Sequence, residues 1–439
     1  MERPGKLRST IFESNSRAAT TVAAFLFCML LSVDGAQLAQ GQTHSYKLLH
    51  SFTGGEDSAS PVAGLAMDSA GNLYGTTAGI PDWWPWPPCN ASSPNGACGT
   101  VFQLKPTASG WSFSTLYRFQ GGPDGWIPPS YNGLNFAAPL TVGPDGSLYG
   151  TTWAGGDESA CIHGCGTVFK LTRSADDSWS ETVIYRFSGR GGDGCFPGNG
   201  AVVFDHAGNL YGTTYQCGPG PDGPSAVYKL TPGSPTWTET VIYTFADTCS
   251  TNVWAGVVMD NAGNLYGTTL NMAYELTPSG GEWTGKVLHC FTGLDGFNVY
   301  AGLAVDGRGN VYGATSADTL AGGGTVFSLT SSGEEWNFAT IHNWLGDTEF
   351  PGGGPVWNLA VDSEGNLYGT AEGEQSTSWS PSAFKLTPQL NGGWAYTDLQ
   401  IFAGAEDISG LILDPQGNLY GTLEYGGDYG YGAVFEITP

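Results

Sequence analysis

The chain has 439 residues, and although only 13% are charged, Asp and Glu outnumber Lys and Arg by 40 to 15, for a formal net charge of -25. Nucleic acids and anionic membrane surfaces are bound through clusters of Lys and Arg, so this balance excludes both as partners. An aromatic share of 13% excludes a disordered chain, and 68 glycines, about twice the usual share, point to short strands and tight turns.

In chain order, Arg3, Lys6, Arg8 and Arg17 come first. An apolar run over 18–33 follows, and then the small residues Gly35, Ala36, Ala39 and Gly41. This layout predicts a secretory signal peptide over 1–41, cleaved between 35 and 41. The run is short for a membrane anchor and no basic stop-transfer cluster follows it. Phe27 before Cys28 is too large for a lipoprotein-type cleavage site. No other stretch is apolar enough to span a bilayer, so the mature chain is expected without a span. Its expected location is secreted, periplasmic or at the cell surface.

Removing Cys28 with the signal leaves Cys89, Cys98, Cys161, Cys165, Cys195, Cys217, Cys249 and Cys290. An even set in an exported chain favours disulfides. Cys89–Cys98 and Cys161–Cys165 are expected as local loop staples. The connectivity of the other four stays open, with Cys195–Cys217 and Cys249–Cys290 the expected pairs. There is no CxxC, His-x-His or His-x-x-x-His, so no metal site is expected.

Three phrases then recur in fixed order to the end of the chain, the first two seven times and the third six. "DSAGNLYGTT" and its relatives carry Tyr74, Tyr149, Tyr211, Tyr266, Tyr312, Tyr368 and Tyr420. "GTVFQLKP" and its relatives follow. "WSFSTLYRF" and its relatives close the unit, each with Trp eight positions before a final aromatic. Each phrase reads as strand. "LAMD" (strand A) and "NLYGTT" (strand B) flank a tight turn. "TVFQL" (strand C) is β-branched and aromatic, and "STLYRF" (strand D) alternates. Four strands per unit is the unit of a β-propeller blade. The last unit lacks strand D, and "HSYKLLHSF" (44–52) fits that pattern. The reading is an all-β, seven-bladed β-propeller over 42–439, whose N-terminal strand completes the last blade and leaves no free edge.

The series resembles the GloVer-type tandem repeat of secreted bacterial proteins over essentially all of 44–439. The resemblance implies a propeller-like repeat and brings no activity and no catalytic residues with it. One departure is Gly143, which stands where the other units have Asp.

Those repeated aspartates, Asp68, Asp205, Asp260, Asp306, Asp362 and Asp414, read as caps of the A–B turn, and the repeated Tyr and Trp read as blade packing. A second acidic series lies in the D–A loops: Asp57, Asp124, Asp193, Asp247, Asp295, Asp347 and Asp407. In a propeller the D–A and B–C loops share one face. These carboxylates therefore form either a negative ring at the channel mouth or a set of Asx turns. A structural cation at that ring is the only cofactor anticipated.

The first two units carry the longest loops on that face, with Trp83, Trp84, Trp86, Trp126, Tyr131 and Trp153. Such rings either pack on one another or, with Asp124 nearby, stack on a ligand such as a sugar. Catalytic signals are absent: there is no Gly-x-Ser-x-Gly elbow, and of six histidines only His163 sits in an irregular loop of that face. The expectation is a monomeric binding or scaffolding module for an extracellular glycan or protein. The alternatives are a carbohydrate-active hydrolase or lyase using carboxylates of that face, and a cell-surface assembly module.

Overall fold

The computed structural model describes residues 44–439 apart from 62, 79–97, 128–136, 158, 160, 162–163, 191–192, 198–199, 217–224, 234–235, 246–248, 250–251, 317–322, 334, 345–356, 372–379 and 403–407. The predicted signal peptide lies outside them.

Each repeat folds as an antiparallel sheet ordered A–B–C–D, and seven such sheets form the propeller. In the first blade the strands are Ala66–Met67, Leu73–Thr77, Thr100–Thr107 and Gly110–Arg118. The seventh blade is completed by the N-terminal strand Ser45–Ser51. It pairs antiparallel with Ala433–Thr438, from Ser45 opposite Thr438 to Ser51 opposite Ala433. The ring also closes nearer its axis, where Thr422 Oγ1 of the seventh blade donates to the Ala63 carbonyl of the first at 3.2 Å. The equivalent bond links blades three and four (Thr213 to Ala255, 2.9 Å) and blades four and five (Thr268 to Ala301, 3.0 Å). One strand was not anticipated: Cys195–Pro197 pairs with the end of Leu210–Gln216 and gives the third blade a fifth strand.

The turn between strands A and B explains its own phrase. Asp68 Oδ1 accepts from the amides of Ala70 and Asn72, both at 2.9 Å, and Oδ2 accepts from Asn72 Nδ2 (2.7 Å) and Tyr74 OH (2.9 Å). Gly71 takes φ +79°, open to glycine at no steric cost. Where Gly143 replaces the aspartate, Asp145 does the work: it accepts from Tyr149 OH at 3.1 Å and pairs with Lys170 at 2.6 Å. Burial opposes ionisation of Asp68, but the hydrogen bonds from Asn72, Tyr74 and Ala70 outweigh it and hold the carboxyl below its ordinary range.

Blades hold to one another through two aromatic layers. The strand-B tyrosine meets the strand-D tryptophan of the next blade edge to face: Tyr74 with Trp179, Tyr149 with Trp237, and on to Tyr420 with Trp111, which crosses the seam between last and first blades. Deeper in, the final aromatic of strand D meets the strand-C aromatic of the next blade. Phe119 lies 5.1 Å from Phe169 and Phe291 lies 5.0 Å from Phe327. The strand-C ring lies under the glycine that follows the strand-B tyrosine: a Cβ on Gly313 would stand 2.4 Å from Phe327, and one on Gly75 2.4 Å from Phe102.

A third contact varies from interface to interface. The residue two before the final aromatic meets the residue two after the tryptophan of the next blade. His50 stacks on Phe113 at 4.0 Å and His289 on Phe338 at 3.9 Å. Tyr243 fills the space that a Cβ on Gly285 would need. Tyr117 and Tyr185 instead face Glu181 and Glu239. Burial, reinforced by the charge of Asp124 beside Glu181 and of Asp193 beside Glu239, pushes both glutamates from the ordinary 4.5 up to about 7; Arg186 opposes this at Glu181. Glu181 Oε1 and Glu239 Oε1 are buried without a hydrogen-bond partner.

Three predictions follow from this architecture. Deleting residues 44–52 uncovers Ala433–Thr438, and the variant is expected to melt lower and to self-associate in size-exclusion chromatography; a monomer with unchanged melting would refute the closure. Gly313→Ala should cost about 1–3 kcal/mol in urea unfolding through overpacking against Phe327. Gly307→Ala, with nothing within 4 Å of its Cβ, should leave stability unchanged. The glutamates bind protons more tightly folded than unfolded. The stability this contributes is complete below pH 4.5 and is lost as pH rises through about 7. A Glu181→Gln/Glu239→Gln double variant should therefore lose less stability than the parent between these pH values.

Candidate functional site

Strand A begins and strand B ends at one end of the ring, because the two pair antiparallel. That end gathers the D–A and B–C loops. Trp153 follows the strand B of blade two, Leu148–Thr152, and Tyr215 occupies the same register in blade three. Trp254 and Tyr300 each stand six residues before the turn aspartate of their blades, Asp260 and Asp306. These four rings and Phe196 form one continuous row. Trp153 is parallel to Phe196 (5.2 Å, 19°) and to Trp254 (6.2 Å, 14°). Tyr215 lies 4.6 Å from Trp254, and Tyr300 meets Trp254 edge on at 5.9 Å. Trp254 is buried at 8% exposure, and the other four are half-buried.

Local chemistry fixes each ring. Phe196 adopts φ +52°, a left-handed conformation that strains a bulky residue. It is held there by its amide bond to the Cys165 carbonyl (2.8 Å) and by its neighbour Cys195, which is disulfide-bonded. Tyr215 OH accepts from Asn252 Nδ2 at 2.9 Å. The amide of Val253, next to Trp254, donates to Ser225 Oγ at 3.0 Å. Burial first, and then the proximity of Tyr215, raises the phenol of Tyr300 above its ordinary value.

Of the aromatics singled out in the sequence, Trp153 is central to this row. Trp126 is buried at 6% exposure within the core of blades one and two, its amide bonded to the Ala154 carbonyl at 3.2 Å. There it packs the fold and presents no open ring to a ligand. Trp83, Trp84, Trp86 and Tyr131 lie outside the described residues, as does His163. Sequence reading missed Phe196, Tyr215, Trp254 and Tyr300. A signal was available: the position after "LYGTT" is Trp153 and Tyr215 in two blades but Ala78, Leu270, Ser316 and Glu424 in others.

The second acidic series divides likewise. Asp247, Asp347 and Asp407 lie outside the described residues. Asp57, Asp124, Asp193 and Asp295 each accept from the amide that follows the final aromatic of strand D: Thr53 (3.0 Å), Gln120 (3.0 Å), Ser188 (2.8 Å) and Thr292 (2.8 Å). Each also accepts from a strand-D side chain or pairs with it: His50 (3.2 Å), Tyr117 (2.7 Å), Tyr185 (3.3 Å) and His289 (2.6 Å). Every one of these four carboxylates thus binds its own loop. Among the described residues no group of three or more His, Cys, Asp or Glu is placed to hold a metal ion. The disulfides Cys161–Cys165 and Cys249–Cys290 are formed, with Cα separations of 5.2 and 6.1 Å. Cys98 is also disulfide-bonded, while Cys89 and Cys217 lie outside the described residues.

The axis of the ring holds a cavity of about 490 Å³, bounded by the strands A and by the residues just before them. Its walls are largely Leu, Val and Ala, and no charged residue is among them. Trp357 and Asn358 of blade six interrupt this pattern at the mouth.

Solved structures share the architecture. An ulvan lyase, described as a new family of polysaccharide lyase, is 12% identical, with a TM-score of 0.53 over 86% of this chain and 93% of its own. PorZ, a surface component of the type-IX secretion system of Porphyromonas gingivalis, is 14% identical, with a TM-score of 0.48 over 86% of this chain and 46% of its own. At 12% identity the likeness to the ulvan lyase is one of fold alone. No curated protein matches the sequence. The Gloeobacter/Verrucomicrobia repeat model matches residues 40–272 and again 270–439, covering the propeller from end to end. The chain belongs to the Gloeobacter/Verrucomicrobia repeat family.

Proposed function

We propose that the protein is an exported binding module that takes a glycan along the half-buried rings Trp153, Phe196, Tyr215 and Tyr300, backed by the buried Trp254. The observation that carries the reading is the row itself. Five rings from separate segments of the chain converge on one face, one of them at the cost of a strained backbone, and the repeat does not require them. Flat apolar rings suit the C–H faces of sugars, and rigid placement limits the entropy lost on binding. The formed disulfides accord with an oxidising compartment. No helix among the described residues is long and apolar enough to cross a membrane.

A second reading, carbohydrate cleavage, has one observation in its favour. Glu181 beside Asp124, and Glu239 beside Asp193, pair a carboxyl raised to about 7 with a neighbouring acid, the pattern of an acid and its partner in glycoside chemistry. Both pairs lie between blades against Tyr117 and Tyr185, which suits packing better than a substrate cleft.

A glycan array probed with residues 42–439, with sugar release measured in parallel, tests both. Stacking on one ring contributes about 0.5–1.5 kcal/mol beyond area burial. Trp153→Ala or Tyr300→Ala should therefore weaken binding of an array hit about 2- to 12-fold in calorimetric titration; Trp153→Ala also loses its stacking on Phe196 and Trp254 and should melt lower, whereas Tyr300→Ala should leave melting little changed. Trp237→Ala, which removes the contact with Tyr149, should lower the melting temperature and leave affinity alone. Unchanged affinity in both row variants, or no hit on the array, would refute the proposal.

A further inference from the structure

We propose that the Cys161–Cys165 disulfide is a redox latch on the aromatic row: oxidised, it fixes the stacked pair Trp153 and Phe196, and reduced, it frees Phe196 while the propeller stays folded. The bridge spans a sequence separation of 4, with Cα atoms 5.2 Å apart. Cys165 is fully buried and Cys161 half-buried. The segment they enclose lies between the two stretches of chain that carry the pair. On one side the Gly166 amide donates to the carbonyl of Gly155, two residues past Trp153, at 3.0 Å. A Cβ on Gly164 would stand 2.1 Å from that same carbonyl oxygen, and one on Gly166 2.9 Å from the Trp153 carbonyl oxygen. On the other side the Cys165 carbonyl accepts from the Phe196 amide at 2.8 Å, and a Cβ on Gly166 would stand 2.4 Å from Pro197 Cδ. The place of this segment therefore sets the stack of Trp153 on Phe196, at 5.2 Å and 19°.

Strain supplies the direction of the change. Phe196 sits at φ +52°, where a bulky side chain crowds its own backbone, so it returns to negative φ once its support loosens. A closed disulfide limits the freedom of the short loop that gives this support. The blades do not depend on it. Blade two meets blade three through Phe187 and Tyr228 (5.1 Å) and through Tyr149 and Trp237 (6.3 Å), and no cysteine takes part in either contact. The strand Cys195–Pro197 is an addition to its blade, paired only as Cys195 with Gln216 and Pro197 with Thr214. It can leave with the four repeat strands in place, and Cys195, separately disulfide-bonded, keeps it tethered. The reductant is a dithiol. One of its thiolates attacks Cys161 Sγ, the more exposed of the pair; the Cys161–Cys165 bond breaks and Cys165 leaves as a thiolate that takes up a proton. The second thiol then displaces Cys161, which is released as a thiol, and the reductant departs as its own disulfide, having given two electrons and two protons. An oxidising medium thus closes the row for binding, and a thiol-rich one opens it. What is released rests on the glycan reading; the movement of Phe196 does not.

Hydrogen exchange read by mass spectrometry on residues 42–439 tests the latch without any ligand. A Cys161→Ala/Cys165→Ala variant opens it and leaves the other disulfides alone. Exchange in the peptide that carries Phe196 should quicken about tenfold in this variant, and likewise in the parent treated with dithiothreitol. Peptides of blades five to seven, which contain no cysteine, should exchange as before. If the variant fails to fold, the dithiothreitol arm on the folded parent decides. Unchanged exchange around Phe196, or faster exchange in all seven blades, would overturn the proposal; in the second case the bridge holds the fold rather than the row. In the binding arm, a glycan-array hit should bind the open variant about fivefold more weakly, because the rings are no longer pre-organised. Full affinity in a variant whose Phe196 peptide exchanges fast would overturn the latch and leave the glycan reading standing. An array without hits would sink the glycan reading alone, since exchange decides the latch.

Discussion

The propeller rests on a glycine and the ring it admits. In every blade the glycine after the strand-B tyrosine leaves room for the strand-C aromatic, and a Cβ there would come within about 2.6 Å of that ring. The ring can then lie flat enough against strand B to receive the final aromatic of the preceding blade. All seven interfaces repeat this contact, with centroids 4.7–5.3 Å apart. The tyrosine beside the glycine points the other way, to the turn aspartate and to the next tryptophan. One short phrase thus sets the turn, the sheet packing and the blade-to-blade angle together. This agreement of local and tertiary demands accounts for its survival through seven copies.

The ring's inner interfaces are redundant, and this leaves room for variation at the third contact. A histidine over phenylalanine, a tyrosine over glycine and a tyrosine beside a half-neutral glutamate all fit the same gap. Size is conserved across each pair while chemistry is not. The acidic pairs are confined to the two interfaces that flank blade two, next to the irregular loops.

Much of this was legible in the sequence, because what a repeat shows seven times is hard to misread. The strands, the capping role of Asp68 and its relatives, and the pairing of 44–52 with the end of the chain all follow from phrases in fixed order. The aromatic row was not legible as a unit. Its members lie between Trp153 and Tyr300, and only the curvature of the ring brings blades two to five to one side of the mouth. Trp126 misleads for the opposite reason: it sits in an irregular loop, yet the loop folds inward and buries it at 6% exposure. The fifth strand at Cys195–Pro197 escaped because three residues around a cysteine and a proline carry no strand periodicity.

The pairing of Ser45–Ser51 with Ala433–Thr438 has a consequence for biosynthesis. The first strand of the propeller to be translated waits for the last. Six blades can form in order as the chain emerges, but the seventh must join segments separated by nearly the whole sequence, a closure entropy of about 5 kcal/mol for a flexible chain. Such non-local pairing is slow and comes late. Until the final strand arrives the N-terminal strand has no partner, and the growing ring carries two open edges able to capture a neighbour. Completion of translation is thus built into the geometry as a condition for a sealed molecule.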